Sequence, residues 1–289
     1  MASLKETKNR IASVQNTLKI TSAMKLISSA KFHQAQVAVK KALTYEQSLN
    51  TIINGLYQGR DEETLGIPPE KPIKRIAIIP FSSDTGLCGS FNSNLIRDVE
   101  LTVEKYRKEG IEVEVYPVGE KVAQSLITQG FVIHEEGRKL LEKYSLTKCK
   151  EFTAVLMNAY RAGEVDKVVL LFHHFQSTTR QIITEKNLIP IDRPQTKQAD
   201  VVPHEIKTEP NPKAYFRMIY AHVVATNLFM AVNESLVSEH AARMTAMQVA
   251  TDNGNDLLKE LTILYNKTRQ QAITNEILDL VGGRIRQRS

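Results

Sequence analysis

From its last proline the chain reads Lys213-Ala214-Tyr215-Phe216-Arg217-Met218-Ile219-Tyr220-Ala221-His222-Val223-Val224-Ala225-Thr226-Asn227-Leu228, then continues to Gly282 with Gly254 as its sole helix breaker. Tyr220, Val223, Asn227, Met230, Glu234, Val237, Ala241, Met244 and Gln248 step by three and four, the spacing of a helix that pairs along a seam. A second stripe, Val224, Leu228, Ala231, Ser235, Ala242, Thr245 and Val249, runs beside it. Pro210-Asn211-Pro212 supplies a start, Asn253-Gly254-Asn255 is placed to bend or loosen the helix, and Gly282-Gly283 supplies a stop. Leu257, Leu261 and Leu264 carry the stripe past Gly254.

The other end behaves alike. No glycine precedes Gly55 and no proline precedes Pro68. Leu4, Ile11, Val14 and Leu18 share a stripe, which resumes at Ala38, Ala42, Tyr45, Leu49, Ile52 and Leu56. Met24-Lys25-Leu26-Ile27-Ser28-Ser29-Ala30-Lys31, between them, fits no clean heptad. A helix of this length would reach roughly 75–80 Å, too long to bury in a single core of this size.

The middle reads differently. Ile73–Pro80 is a buried strand entering the loop Ser83-Asp84-Thr85-Gly86-Leu87-Cys88-Gly89-Ser90, with Asn92 placed to cap a helix to about Lys108. Strand Glu112–Tyr116, helix Glu120–Thr128, strand Phe131–His134, helix Thr147–Ala162 and strand Lys167–Phe172 follow. Alternating elements of these lengths predict a parallel, doubly wound sheet. Ser177–Ile183 and Leu188–Ile191 read as a hairpin, and Val201–Ile206 as a last strand. The expected fold is α/β: a long antiparallel coiled coil of terminal helices (1–60 and 213–289) with an inserted Rossmann-like domain and its linkers (61–212).

Charge is uneven. Residues 1–60 carry net +7, residues 61–212 carry −3 and residues 213–289 carry +2, so an acidic partner should meet the first helix. Cys88 and Cys149 show no metal or disulfide spacing. No stretch reads as a signal core or a membrane span.

Catalytic chemistry is hard to place. Gly86-x-x-Gly89 is neither a dinucleotide fingerprint nor a P-loop, and its glycines are expected to permit a tight turn. Asp84 reads as a turn or cap residue. His173-His174 on a strand would point to opposite faces, which is poor metal geometry. Glu239-His240 lacks the second histidine of HExxH. The basic helix holds few aromatics and no nucleic-acid motif. No catalytic, cofactor-binding or metal-ligating residue is assigned, and no nucleic-acid partner.

The residues at both ends resemble a known family. Met24 to Lys31 is similar to the N-terminal helix signature of the gamma subunit of F-type ATP synthases. Ser238-Glu239-His240-Ala241-Ala242-Arg243-Met244-Thr245-Ala246-Met247, Ala250-Thr251-Asp252-Asn253, Tyr265-Asn266-Lys267-Thr268-Arg269-Gln270 and Ile273-Thr274-Asn275-Glu276-Ile277 resemble its C-terminal helix. Ser83 to Gly89 matches a weaker signature. The resemblance covers essentially the whole chain.

That resemblance implies a non-catalytic shaft turning inside a ring of alternating alpha and beta subunits, near an epsilon subunit and a membrane c-ring. It implies coupling of proton flow to ATP synthesis or hydrolysis, with catalysis in the ring. Residue by residue, Met24 and Lys25 match a region facing the acidic beta-subunit lever. Arg269 and Gln270 match a pair meeting a beta-subunit catch loop, Arg243 lies in the central stretch, and Glu209 matches the foot near epsilon and the c-ring. Thr85 stands where the family usually has Arg, Phe32-His33-Gln34 is less basic than usual, and Arg284, Arg286 and Arg288 replace an apolar tail. The expected location is peripheral, on the cytoplasmic face of a bacterial inner membrane. The competing reading is a stand-alone coiled-coil scaffold whose α/β domain binds a small anion; it should be stable alone, whereas a shaft should co-purify with an ATPase ring.

Overall fold

The computed structural model describes residues 4–57, 60–67, 72–138, 140–142, 144–192, 208–209 and 211–286, except the side chains of Glu62 and of residues beyond Leu278. The expected strand Val201–Ile206 and Arg288 lie outside these residues. The elements are α1 (Leu4–Tyr57), α2 (Glu62–Leu65), β1 (Arg75–Pro80), α3 (Phe91–Lys108), β2 (Glu112–Val115), α4 (Glu120–Thr128), α5 (Leu146–Ala162), β3 (Lys167–Phe175), β4 (Gln181–Ile189) and α6 (Pro212–Arg286), with a 3₁₀ turn at Glu135–Gly137. The chain forms two compact units, one of residues 1–29 with 243–289 and one of residues 30–242.

The larger unit is built on a four-stranded sheet in the order β2-β1-β3-β4. β1 pairs parallel with β2 and β3, as the alternating elements predict, whereas β4 is antiparallel to β3. The hairpin is therefore β3–β4. The expected strands Ser177–Ile183 and Leu188–Ile191 are the turn and the two ends of one continuous β4, whose charged Glu185-Lys186 stretch hides its strand character. Phe131–His134 is no strand either: Ile133 makes a single bridge to Val115.

Both faces of the sheet are covered, so the central strands read as unbroken apolar runs. Ile76 and Ile78 of β1 with Val169 and Leu171 of β3 face α3 and α4. Ala77, Ile79, Val168 and Leu170 face α5 and the stretch Val224–Val232 of α6. Asp166 fixes the start of β1, accepting hydrogen bonds from the Lys74 and Arg75 backbone amides at 2.8 and 2.9 Å. Ser145 caps α5 by accepting from Lys148 N at 3.3 Å, and Gly163 closes it in the left-handed conformation.

The start of α6 is fixed by Asn211, whose side chain accepts from Ala214 N at 2.8 Å. The helix is not broken at Asn253-Gly254-Asn255 and does not stop at Gly282-Gly283, but continues to Arg286. In the larger unit its first turns pair with the end of α1. Leu49, Ile53 and Leu56 pack with Phe216, Ile219 and Val223, and the Tyr57 and Phe216 rings meet edge-on at 5.5 Å.

Candidate functional site

The smaller unit holds five of the six residues that the resemblance singles out. From Leu4 to Thr21 the less exposed positions of α1 are Leu4, Thr7, Ile11, Val14, Leu18 and Thr21; from Thr251 to Thr268 those of α6 are Thr251, Gly254, Leu258, Leu261, Tyr265 and Thr268. Both series step by three and four, which is a two-helix seam. Two contacts set its direction. Leu18 packs on Gly254, and the Thr21 and Thr251 hydroxyls lie 2.9 Å apart, so the strands of the pair are antiparallel. Each hydroxyl also reaches a carbonyl of its own helix, Leu18 O at 3.2 Å and Met247 O at 2.8 Å.

This seam corrects several expectations. The heptad does not lapse at Met24–Lys31: Thr21 and Ser28 are buried at seven-residue spacing, with half-buried Lys25 between them. On α6, Leu258 and Tyr265 occupy the seam, while Leu257 and Leu264 are exposed. Met244 lies on the expected series, but buried Met247, not Gln248, carries the next step. In the larger unit Asn227 and Glu234 bond to the α/β sheet, while Tyr220 packs against the cluster of Leu49, Ile53 and Leu56 as well as reaching the sheet. Tyr220 Oη accepts from Ile191 N at 3.2 Å, Asn227 Oδ1 accepts from Lys186 Nζ at 3.5 Å, and Glu234 bonds His174 at 2.6 Å.

Met24 and Lys25 are half-buried and followed by exposed Leu26 and Ile27. At its seam position, Lys25 can lay its methylene stem along the partner helix and keep its ammonium in water. Arg243 is buried, only 7% exposed. Arg269, Gln270 and neighbouring Lys267 are all exposed. Arg269 lies 26 residues beyond Arg243, about 39 Å along the helix, so these are two separate sites. Glu209 belongs to the larger unit, exposed just before the Asn211 cap.

The loop after β1 is rigid by its own bonds. Ser83 N and Oγ lie 3.1 Å from Asn92 Oδ1, Asn92 Nδ2 reaches Cys88 Sγ at 3.2 Å, and Ser83 Oγ donates to Thr85 O at 2.6 Å. Asn92 is therefore a loop clamp inside α3, whose N-cap position is Ser90. Asp84 does cap a helix, accepting from Glu120 N at the start of α4. The turn uses Gly89 at φ 61° but not Gly86; Leu87, exposed at the tip, takes φ 62° instead.

In a doubly wound sheet a nucleotide would sit in the crevice at the carboxyl ends of β1 and β3. Here α6 reaches that end of β3: Ser238 Oγ donates to His173 O at 3.0 Å and Glu234 bonds His174. His173 and His174 point to opposite faces, one buried against the Phe91 ring at 4.1 Å and the other exposed. Burial holds the His173 imidazole down to about 4, so it is neutral at pH 7. Among the described residues no group of three His, Cys, Asp or Glu is arranged to hold a metal, and no helix is long and apolar enough to cross a membrane.

A family profile described as "ATP synthase" matches residues 3–284. The chain is 44% identical to the ATP synthase gamma chain of Phocaeicola vulgatus, over 98% of this chain and 99% of that one. It is 40% identical to that of Parabacteroides distasonis, with 98% of each covered, and 32% identical to that of Flavobacterium johnsoniae, again with 98% of each covered. Among solved structures, a chain of the Euglena gracilis mitochondrial ATP synthase (OSCP/F1/c-ring, rotational state 3) superposes with TM-score 0.65 at 17% identity, covering 98% of this chain and 93% of that one. A chain of the Tetrahymena thermophila mitochondrial ATP synthase central stalk/c-ring gives TM-score 0.60 at 21% identity, covering 80% and 99%. Alike in sequence along nearly all its length and alike in fold, the chain belongs to the ATP synthase gamma chain family.

Proposed function

We propose that this chain is the non-catalytic central rotor of an F-type ATP synthase. The helix pair turns inside a ring of alternating alpha and beta subunits, and the α/β body lies toward the epsilon subunit and the membrane c-ring. Rotation of the c-ring by proton flow is passed to the ring as ATP synthesis, or returned from it by hydrolysis. The enzyme sits peripherally on the cytoplasmic face of a bacterial inner membrane. The domain bounds follow the roles, with 1–60 and 213–289 as shaft helices and 61–212 as the inserted body.

The observation that carries this reading is the seam. A helix pair whose seam interleaves Thr7, Thr21, Thr251 and Gly254 among Leu4, Ile11, Val14, Leu18, Leu258 and Leu261 buries less apolar area per turn than an all-leucine seam, which suits a shaft better than a self-sufficient scaffold. It does leave exposed residues on its outer faces for a surrounding partner. Met24 and Lys25 meet the beta-subunit lever, Arg269 and Gln270 a beta-subunit catch loop, and Glu209 the epsilon and c-ring side. Arg243, being buried, serves its stretch by holding the helix surface that the ring meets.

Affinity purification of the tagged chain from its native membranes tests the proposal. ATPase-ring and c-ring subunits are expected in stoichiometric yield, and recovery of the chain alone would refute it.

A further inference from the structure

In the larger unit the α1 seam positions Phe32, Val39, Glu46 and Ile53 follow at intervals of seven, and one of them is a carboxylate. The Glu46 side chain is only 15% exposed, on the same helix as the apolar cluster residues Leu49, Ile53 and Leu56. Its Oε1 lies 3.6 Å from Nζ of Lys186, in the middle of β4. The same ammonium donates at 3.5 Å to Oδ1 of Asn227, a buried residue of α6. Beside Asn227, the buried Thr226 hydroxyl has no hydrogen-bond partner among the described residues. One ammonium thus joins both long helices to the outer strand of the sheet.

The Glu46 carboxylate is shielded while the Lys186 side chain is 40% exposed, so the pair adds little raw stability, but loss of the lysine leaves a largely buried carboxylate without its counter-charge, which ties the register of α1 to β4. Apolar contacts tolerate sliding and rotation. The Phe32–Phe175 ring contact, at 5.4 Å, holds α1 to the sheet in that permissive way. The His174–Glu234 and Ser238–His173 bonds are directional but reach α6 alone.

We propose that Glu46, Lys186 and Asn227 form a three-element lock that, within the larger unit, fixes the sheet on the segments of α1 and α6 packed beside it, so that a turn applied to the sheet reaches both segments together. The three are positioning residues, and the proposal rests on the rotor reading above.

The test uses the whole enzyme in membranes of a host lacking its own gamma gene. ATP hydrolysis and ATP-driven proton pumping are measured for the wild-type chain, Glu46→Gln, Lys186→Met, and the exchange Glu46→Lys with Lys186→Glu. Both single variants should hydrolyse ATP within about twofold of wild type but pump roughly threefold fewer protons per ATP, with the exchange recovering most of the loss. A merely structural role would lower both activities in proportion, through lost assembly. An unchanged pumping ratio in both single variants overturns the lock. If the single variants fail to assemble, the exchange decides: recovery supports the lock and continued failure overturns it. Failure of the wild-type chain to restore any ATPase would count instead against the rotor reading.

Discussion

Leu18 of α1 packs so tightly on Gly254 of α6 that a β-carbon built at residue 254 would lie 2.7 Å from Leu18 Cδ2. The glycine therefore lets two backbones approach inside a continuous helix; it is not a hinge. Replacing Gly254 by Ala should gain up to about 1 kcal/mol of helix propensity and lose a similar amount by displacing the Leu18 methyl, leaving stability nearly unchanged. Gly254→Leu cannot be absorbed by one methyl and should cost roughly 1–3 kcal/mol. Thermal unfolding of the purified chain measures both, and a Leu variant as stable as wild type would contradict the close contact.

The Thr21–Thr251 rung gives the opposite expectation. Each hydroxyl already has a carbonyl of its own helix to bond, so joining them adds little net energy. Thr21→Val together with Thr251→Val removes one buried and one half-buried polar group and adds apolar surface to the seam. The double variant should be more stable by about 1 kcal/mol, seen as a raised urea midpoint for the purified chain. A lowered midpoint would make the rung a net contributor to stability. Assembly with the ATPase ring, scored alongside, shows whether a stiffer seam is tolerated in the enzyme.

Buried His173 makes an acid-side prediction. Its folded-state pKa, about 4, lies below the ordinary 6.5, so the unfolded chain binds the extra proton. Its contribution is fully present above pH 6.5 and is lost as pH falls toward 4. The loss is roughly 3 kcal/mol at most. Glu120, which Arg138 holds down to about 2, acts in the lower window from 4.5 toward 2, with the same sign. His173→Phe should therefore flatten the stability profile between pH 6.5 and 4 and leave the lower limb intact. Identical profiles for variant and wild type would show that the imidazole is not buried neutral.

The sheet and its helices were legible because their signals are local. Glu120–Thr128 and the start of β3 at Lys167 match the structure to the residue, and β1 announces itself as four successive apolar residues. The seam was less legible because seam positions are recognised by being apolar. Thr7, Thr21, Lys25, Ser28 and Glu46 occupy them here, while flanking Ala38, Tyr45 and Ile52, one place off the seam, carry the apolar pattern. On α6 the same slip put Asn227 and Glu234 against α1, when their bonds run to Lys186 and His174. Lys186 carried no signal of its own, since an isolated lysine on a strand usually faces water. The glycine at 254 misled for a related reason: local propensity marks it as a weak point, and only the partner helix reveals a close approach. The residues proposed to meet the ring came from resemblance alone.

Among those residues, Arg269 and Gln270 offer the most direct test. Both are exposed on α6, beyond the buried Leu261 and the half-buried Tyr265 of the seam. At 100° per residue, Arg269 and Lys267 flank the seam residue Thr268 on opposite sides, and Gln270 points well away from the partner helix. Alanine at 269 and 270 removes no buried contact and keeps good helix formers, so the isolated chain should unfold within about 0.5 kcal/mol of wild type. In the assembled enzyme, a guanidinium paired with a ring carboxylate in a partly shielded site is worth roughly 1.5–3 kcal/mol, against under about 1 kcal/mol for a pair left open to water. Arg269→Ala with Gln270→Ala should then lower steady-state ATPase activity or ring retention by roughly tenfold or more. Lys267→Ala, equally exposed but on the other flank, should leave both within about twofold, the scale expected of an open surface charge. Size-exclusion yield of the complex and its ATPase rate, measured on the same preparations, separate lost assembly from lost turnover. Wild-type values for the double variant would make these two side chains ordinary surface.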